Sequence, residues 1–298
     1  MNKLHKELTA CKKIVAVTPL DVADLVKTNQ PKRKEIPTDI QLYRIIYRAG
    51  KLKVVGYIAA PKKGKNRPCL IHLRGGGGDF AMLKPKSLLA HLVRFAQAGY
   101  VVIAPQYPGV EGGDGEDAYG GTDDLKSIIV LREILKDLTI ADHSCIGIKG
   151  HSRGGLMVYM LLRQVKWVKA VVIGGAPTDQ IKHAKNRTGW REHQIKRWGK
   201  SRDESVKRSP LRWVDELPTN VPMLIMHGLS DWRVDPLDSI DMSRALLAQK
   251  APHRLLLFEG ADHVISEYRG EYVNQTLDWF NRFLVEGAAL PNMEPHGD

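Results

Sequence analysis

Gly150-His151-Ser152-Arg153-Gly154 decides how this chain is read. The stretch has the form G-x-S-x-G. A strand-like run, Ser144-Cys145-Ile146-Gly147-Ile148, precedes it, and a helix-like run from Leu156 to Val165 follows. That context implies a sharp strand-to-helix turn that lifts a serine hydroxyl above a sheet. Glycines suit the flanks because neighbouring backbone must pass close by. A serine hydroxyl is a poor nucleophile at neutral pH. It needs a base within hydrogen-bond reach, and the base needs an orienting acid.

Working outward, short apolar runs alternate with segments of helical spacing. Gln41–Tyr47 and Leu52–Ala59 read as a hairpin across Ala49-Gly50. Strands are expected at Cys69–Leu73, Tyr100–Ala104, Val168–Ile173, Pro222–His227 and Arg254–Phe258. Helices are expected at Leu88–Ala98, Leu125–Leu138, Leu237–Ala248 and Tyr272–Leu284, with a short one near Asp21–Val26. The alternation predicts a mainly parallel central sheet with helices on both faces. A charged stretch, 177–217, carries Trp190, Trp198 and Trp213 and interrupts the alternation as a helical, lid-like insertion. Its tryptophans either pack its helices beside a solvated basic face or line an apolar acyl or side-chain pocket, where its arginines could hold a carboxylate. The domain reading is an N-terminal extension over 1–40, a main domain over 41–285 and a C-terminal tail over 286–298.

In an open parallel sheet, functional groups come from loops at the carboxyl ends of strands. Asp231 lies just past the strand 222–226 and is the candidate acid. Asp235 is the runner-up, though its place before Pro236 suits a helix cap better. His263 follows the strand 254–258 and is the candidate base. His72 and His227 close strands, and His151 neighbours the serine, so all three are weaker choices. The backbone N–H of Arg153 is one expected oxyanion donor. A second is expected from Arg74, Gly75 or Gly76, at the start of a loop with four consecutive glycines, Gly75–Gly78. The glycine loop lacks dinucleotide and P-loop spacing. The acidic loop around Glu111, Asp114 and Asp117 lacks calcium-loop spacing and reads as solvated.

These motifs together resemble the catalytic domain of the prolyl oligopeptidase family, a branch of the α/β-hydrolase fold. The residues that carry the resemblance are Gly150-His151-Ser152-Arg153-Gly154-Gly155, His227-Gly228-Leu229-Ser230-Asp231-Trp232-Arg233-Val234 and Gly260-Ala261-Asp262-His263. The resemblance implies Ser152 as nucleophile, Asp231 as orienting acid and His263 as base. It implies a serine hydrolase acting on ester or short-peptide substrates, with no metal or organic cofactor. Arg74 stands where some family peptidases place an oxyanion tyrosine, and Tyr107-Pro108-Gly109 replaces the family's Tyr-Arg-Gly. About 40 residues precede the resembling region, so no β-propeller is expected. Acyltransferase or thioesterase chemistry on the same triad is an alternative, as is a non-catalytic ligand-binding protein.

Composition narrows the class. Hydrophobic residues make up 43% and charged residues 26%, as in ordinary globular proteins. No apolar run approaches the roughly 20 residues that span a bilayer. The start of the chain lacks the apolar block of a secretory signal. Three cysteines, Cys11, Cys69 and Cys145, form no metal-like spacing. A cytoplasmic protein with reduced thiols is the expectation. The net charge of +12 concentrates at Lys32-Arg33-Lys34 and between Lys182 and Arg212. No nucleic-acid-binding signature accompanies it, so no specific nucleic-acid partner is expected.

Overall fold

A computed structural model describes residues 2–30 and 35–297. Pro31 and the basic run Lys32-Arg33-Lys34 lie outside the described residues. The chain divides into two compact units. The first holds residues up to 117 and 121–147, and the second holds 118–120 and the residues from 148 onward.

In the first unit the strands run in the order β1-β2-β3-β5-β4-β6. They are β1 (Ile14–Leu20), β2 (Ile40–Ala49), β3 (Leu52–Pro61), β4 (Arg67–Leu73), β5 (Val101–Pro105) and β6 (Ala141–His151). β2 and β3 form the expected hairpin, with Ala49 opposite Leu52. Gly50 takes φ +64° in its turn, a conformation glycine adopts without strain. β3 pairs antiparallel with β5, and β4 pairs parallel with β5. The segment before residue 40, expected as an extension, supplies β1, which pairs antiparallel with β2. Its half-exposed pattern and its proline at position 19 fit an outermost strand, where a missing N–H costs no ladder bond. The helix Thr122–Lys136 buries Leu125, Ile128, Leu131, Ile134 and Leu135 on one stripe.

β6 continues into the second unit at residue 148. There the order is β6-β7-β8-β9, with β7 (Val168–Gly174), β8 (Met223–Gly228) and β9 (His253–Phe258). β7, β8 and β9 pair in parallel. Parallel neighbours need crossovers, and the helix Leu237–Ala248 makes the one between β8 and β9. The helix Arg153–Leu162 is buried along its whole length, as its sequence Leu-Met-Val-Tyr-Met-Leu-Leu demands. The insertion falls between β7 and β8 as helices Gln180–Asn186, Trp190–Trp198 and Arg202–Lys207. Antiparallel strands at the start, then parallel strands joined through helices, make this an α/β-hydrolase fold. No helix among the described residues is long and apolar enough to cross a membrane.

Candidate active site

The second unit holds Ser152, Asp231 and His263. Ser152 sits between the end of β6 and the helix Arg153–Leu162, with φ +56° and ψ −124°. Such a conformation is strained for any residue with a Cβ, by about 1–3 kcal/mol. The surroundings hold it: Ser152 N–H donates to the carbonyl of Gly174 at 2.7 Å, and Gly155 N–H donates back to Ser152 O at 3.0 Å. A methyl group on Gly150 would overlap the carbonyl of Gly154. One on Gly155 would press on Ala176 and Ile173. The two glycines therefore let the strand end and the helix start close on each other.

Asp231 is fixed from both sides. Its Oδ1 accepts the backbone N–H groups of Arg233 at 2.8 Å and Val234 at 3.0 Å. Its Oδ2 lies 2.6 Å from His263 Nδ1 and 3.0 Å from His227 Nε2. Burial alone would raise this carboxyl's pKa. The bonds from His227 and His263 outweigh burial and hold it well below the usual carboxylate range. An ionised carboxylate only accepts, so His263 Nδ1 carries the proton and Nε2 is left as the basic nitrogen. Close backbone approach brings the two loops together. A side chain on Gly228 would overlap the carbonyls of Ala261 and Asp262, and Ser230 N–H donates to Ala261 O at 2.9 Å. Asp262 turns the histidine loop by accepting from the backbone of Val264 and Ser266. Asp235 caps the next helix at Leu237 N–H, so the runner-up acid has its structural task.

Two histidines that the sequence reading set aside support this pair. His227 Nε2 faces two acceptors, Asp231 Oδ2 and Val234 O at 3.1 Å, so it must carry the ring proton. Its Nδ1 then accepts the hydroxyl of Ser239 at 2.6 Å. His151 lies with Nε2 2.7 Å from the backbone carbonyl of His263, and the two rings meet edge to face at 5.2 Å. Burial pushes the pKa of His151 down to about 3, so it stays neutral and donates through Nε2. The residue before the serine thus touches the candidate base. The spacing His227-x-x-x-Asp231 was the one signal that a strand-ending histidine could reach the acid.

Arg153 opens its helix, where the first N–H groups have no intrahelical acceptor. Its side chain is fully buried, with the guanidinium 4.8 Å from the Tyr119 ring centroid. In the first unit, Arg74 has a different task from oxyanion donation. Its Nε donates to Gln106 O, Nη1 to the carbonyls of Gly75 and Phe80, and Nη2 to those of Gly78 and Gln106. The fork makes five bonds, three to the glycine loop and two to Gln106, and so ties the loop to the residue after β5. Gly75 and Gly76 lie in that loop, with Gly76 at φ +67° and no room for a methyl beside the Phe80 carbonyl. The acidic loop is not merely solvated either. Glu111 takes Arg44 Nε at 2.7 Å and Gln106 Nε2 at 2.6 Å, and Asp117 takes Gly78 N–H at 2.6 Å.

The insertion packs through its tryptophans, as expected. Trp190 donates to the Gln180 side chain, stacks on His193 and meets Tyr119 edge-on. Arg208, only 3% exposed, donates to the carbonyls of Tyr119 and Ala118. Among the described residues, no group of three or more His, Cys, Asp or Glu is placed to hold a metal ion.

The family model of the prolyl oligopeptidase family matches residues 87–286, about two thirds of the chain. An uncharacterized peptidase of Bacillus subtilis, YtmA, is 28% identical over 200 residues, covering 65% of this chain and 75% of that protein. A probable dipeptidyl-peptidase 5 of Aspergillus flavus is 24% identical over 262 residues, 80% of this chain but 35% of its own length. Among solved structures, a puromycin-hydrolyzing peptidase of Mycobacterium tuberculosis matches with TM-score 0.68 at 24% identity, over 80% of this chain and 39% of that one. An acylaminoacyl peptidase of Pyrococcus horikoshii matches with TM-score 0.71 at 18% identity, over 91% and 45%. The chain therefore spans less than half of these solved proteins, in a fold it shares with them. By the family match over most of its second unit, the chain belongs to the prolyl oligopeptidase family of serine hydrolases.

Proposed function

We propose that this chain hydrolyses short-peptide or ester bonds through an acyl-enzyme formed on Ser152. His263 Nε2 takes the hydroxyl proton as Ser152 Oγ attacks the carbonyl carbon, and later gives it to the leaving group. Asp231 holds the imidazole tautomer and stabilises the imidazolium. The Arg153 N–H donates to the oxyanion. Water then attacks the acyl-enzyme by the same proton route in reverse. The observation that carries this reading is the 2.6 Å bond from His263 Nδ1 to an Asp231 already saturated by three other donors. The names of the relatives, peptidases of several kinds, support peptide substrates ahead of simple esters. Three free cysteines, two of them buried, support a reducing compartment such as the cytoplasm.

The test is a panel of peptide anilides and matched esters, followed before steady state. A burst of leaving group equal to the enzyme concentration on the esters, and loss of at least about a thousandfold in Ser152→Ala, is the expected result. Turnover that survives Ser152→Ala would overturn the assignment.

A further inference from the structure

The basic insertion lines one side of a cavity of about 200 Å3. The loop that carries Asp231 lines the other, through Trp232, Arg233 and Asp235. The charges there do not cancel. Asp231 is committed to two histidines and two amides. Asp235 caps Leu237 and stands 4.0 Å from Lys182, whose ammonium is 3.2 Å from Asp241. Asp238 is 1% exposed, and burial pushes its carboxyl up to about 7, so near neutral pH it carries only part of a negative charge.

Arg187 is left over. Its guanidinium lies 4.9 Å from the Trp190 ring centroid and 5.9 Å from that of Trp232. Among the described residues, no carboxylate pairs with it. Arg233 stands over the same Trp232 ring at 4.8 Å. Burial lowers the pKa of Arg187 and the like charge of Arg233 pushes the same way, outweighing the opposite pull of Tyr119 and Asp231. The Arg187 guanidinium, partly withdrawn from water beside a like charge, gains when an anion enters. Trp232 is 70% exposed, so most of its indole is open to an incoming ligand.

We propose that this cavity is a substrate subsite for a carboxylate, held by Arg187 beside Arg233, with the Trp232 indole against the attached carbon chain. The proposal builds on the hydrolase reading. An arginine fork matches a carboxylate in two parallel bonds. The volume suits a glutamate-sized group rather than a fused ring system. The carboxylate can belong to an acidic side chain on the acyl side of the scissile bond or to a free C-terminus on the leaving side.

Two kinds of matched substrates separate those sources on the full chain. One set carries Glu or Gln at each acyl-side position of a dipeptide anilide. The other is a peptide with a free or an amidated C-terminus. In one set, kcat/KM for the acid should exceed that for the amide about tenfold, as a partly dehydrated arginine–carboxylate contact supports. In Arg187→Met that ratio should fall to about one, and in Arg187→Lys to an intermediate value. A folding defect slows both members of a pair alike and leaves the ratio unmoved. Binding is read separately in Ser152→Ala by tryptophan fluorescence, with N-acetylglutamate and N-acetylglutamine as probes. Acid-selective binding that disappears in Arg187→Met supports the subsite even if no substrate turns over, and in that case the hydrolase reading alone fails. Equal binding and equal turnover of acid and amide, or selectivity that survives Arg187→Met, would overturn the subsite.

Discussion

Replacing His227 by phenylalanine removes one donor from the candidate acid, Asp231, and leaves a ring of similar size in its place. The Asp231 carboxylate loses its 3.0 Å bond from His227 Nε2. A hydrogen bond to a charged group contributes about 1.5–3 kcal/mol. The Ser239 hydroxyl, 2% exposed, loses its acceptor as well, which adds a desolvation cost of about 1 kcal/mol or more. The expected loss of stability is thus about 2.5–4 kcal/mol near neutral pH. The pH dependence has a definite sign. Asp231 has a folded pKa below its unfolded value of about 4, so its contribution is complete above that pH and is lost as the pH falls below it. The gap between the native chain and the variant should therefore be widest at pH 7 and narrow below pH 4. Catalysis should suffer less than stability. The Arg233 and Val234 amides still orient Oδ1, and His263 still bonds Oδ2. We expect kcat/KM to fall about tenfold, against about 10⁴-fold for Asp231→Asn, where the tautomer is lost. Urea unfolding at pH 7 and pH 3.5, with kcat/KM on a peptide anilide, gives both quantities. An unchanged midpoint with turnover within twofold would refute the role of His227. So would a catalytic loss as large as that of Asp231→Asn.

In Gly150→Ala the added methyl collides with Gly154 backbone and displaces Ser152, so kcat/KM should drop at least about a hundredfold; near-native turnover would contradict the packing described for the elbow. Asp238 has its pKa raised by burial from 3.8 to about 7, so the native chain loses stability as pH rises between those values. Asp238→Asn should remove about 2–3 kcal/mol of that loss between pH 5 and pH 8, read by urea titration at both; parallel curves for the two chains would show that Asp238 ionises freely.

Much of the site was legible because chemistry and backbone geometry coincide there. The strand-turn-helix around Ser152 needs glycines at 150 and 155, and they stand out in the sequence. Asp231 and His263 could be found because each follows a short apolar run that folds as β8 or β9. β1 was not legible. Its run Ile-Val-Ala-Val is apolar but does not alternate, it contains Pro19 and it follows a basic stretch, so it did not read as a paired strand. The roles of His227 and His151 were hidden for another reason. One holds the acid and the other holds the backbone of the base, and both contacts form only when loops distant in sequence converge. The bonds of Arg74 were not legible either, because an arginine beside a glycine-rich loop reads as a donor to substrate. Its partners are carbonyls spread over positions 75–106, which no spacing rule connects.

The central claim is that Ser152 is an activated nucleophile. A fluorophosphonate probe tests it without knowledge of the substrate, with the labelled residue identified by peptide mass. The account predicts one equivalent of label on Ser152, none in Ser152→Ala, and labelling slowed at least a hundredfold in His263→Ala. A folded native chain that takes no label, or takes it on another residue, would contradict it.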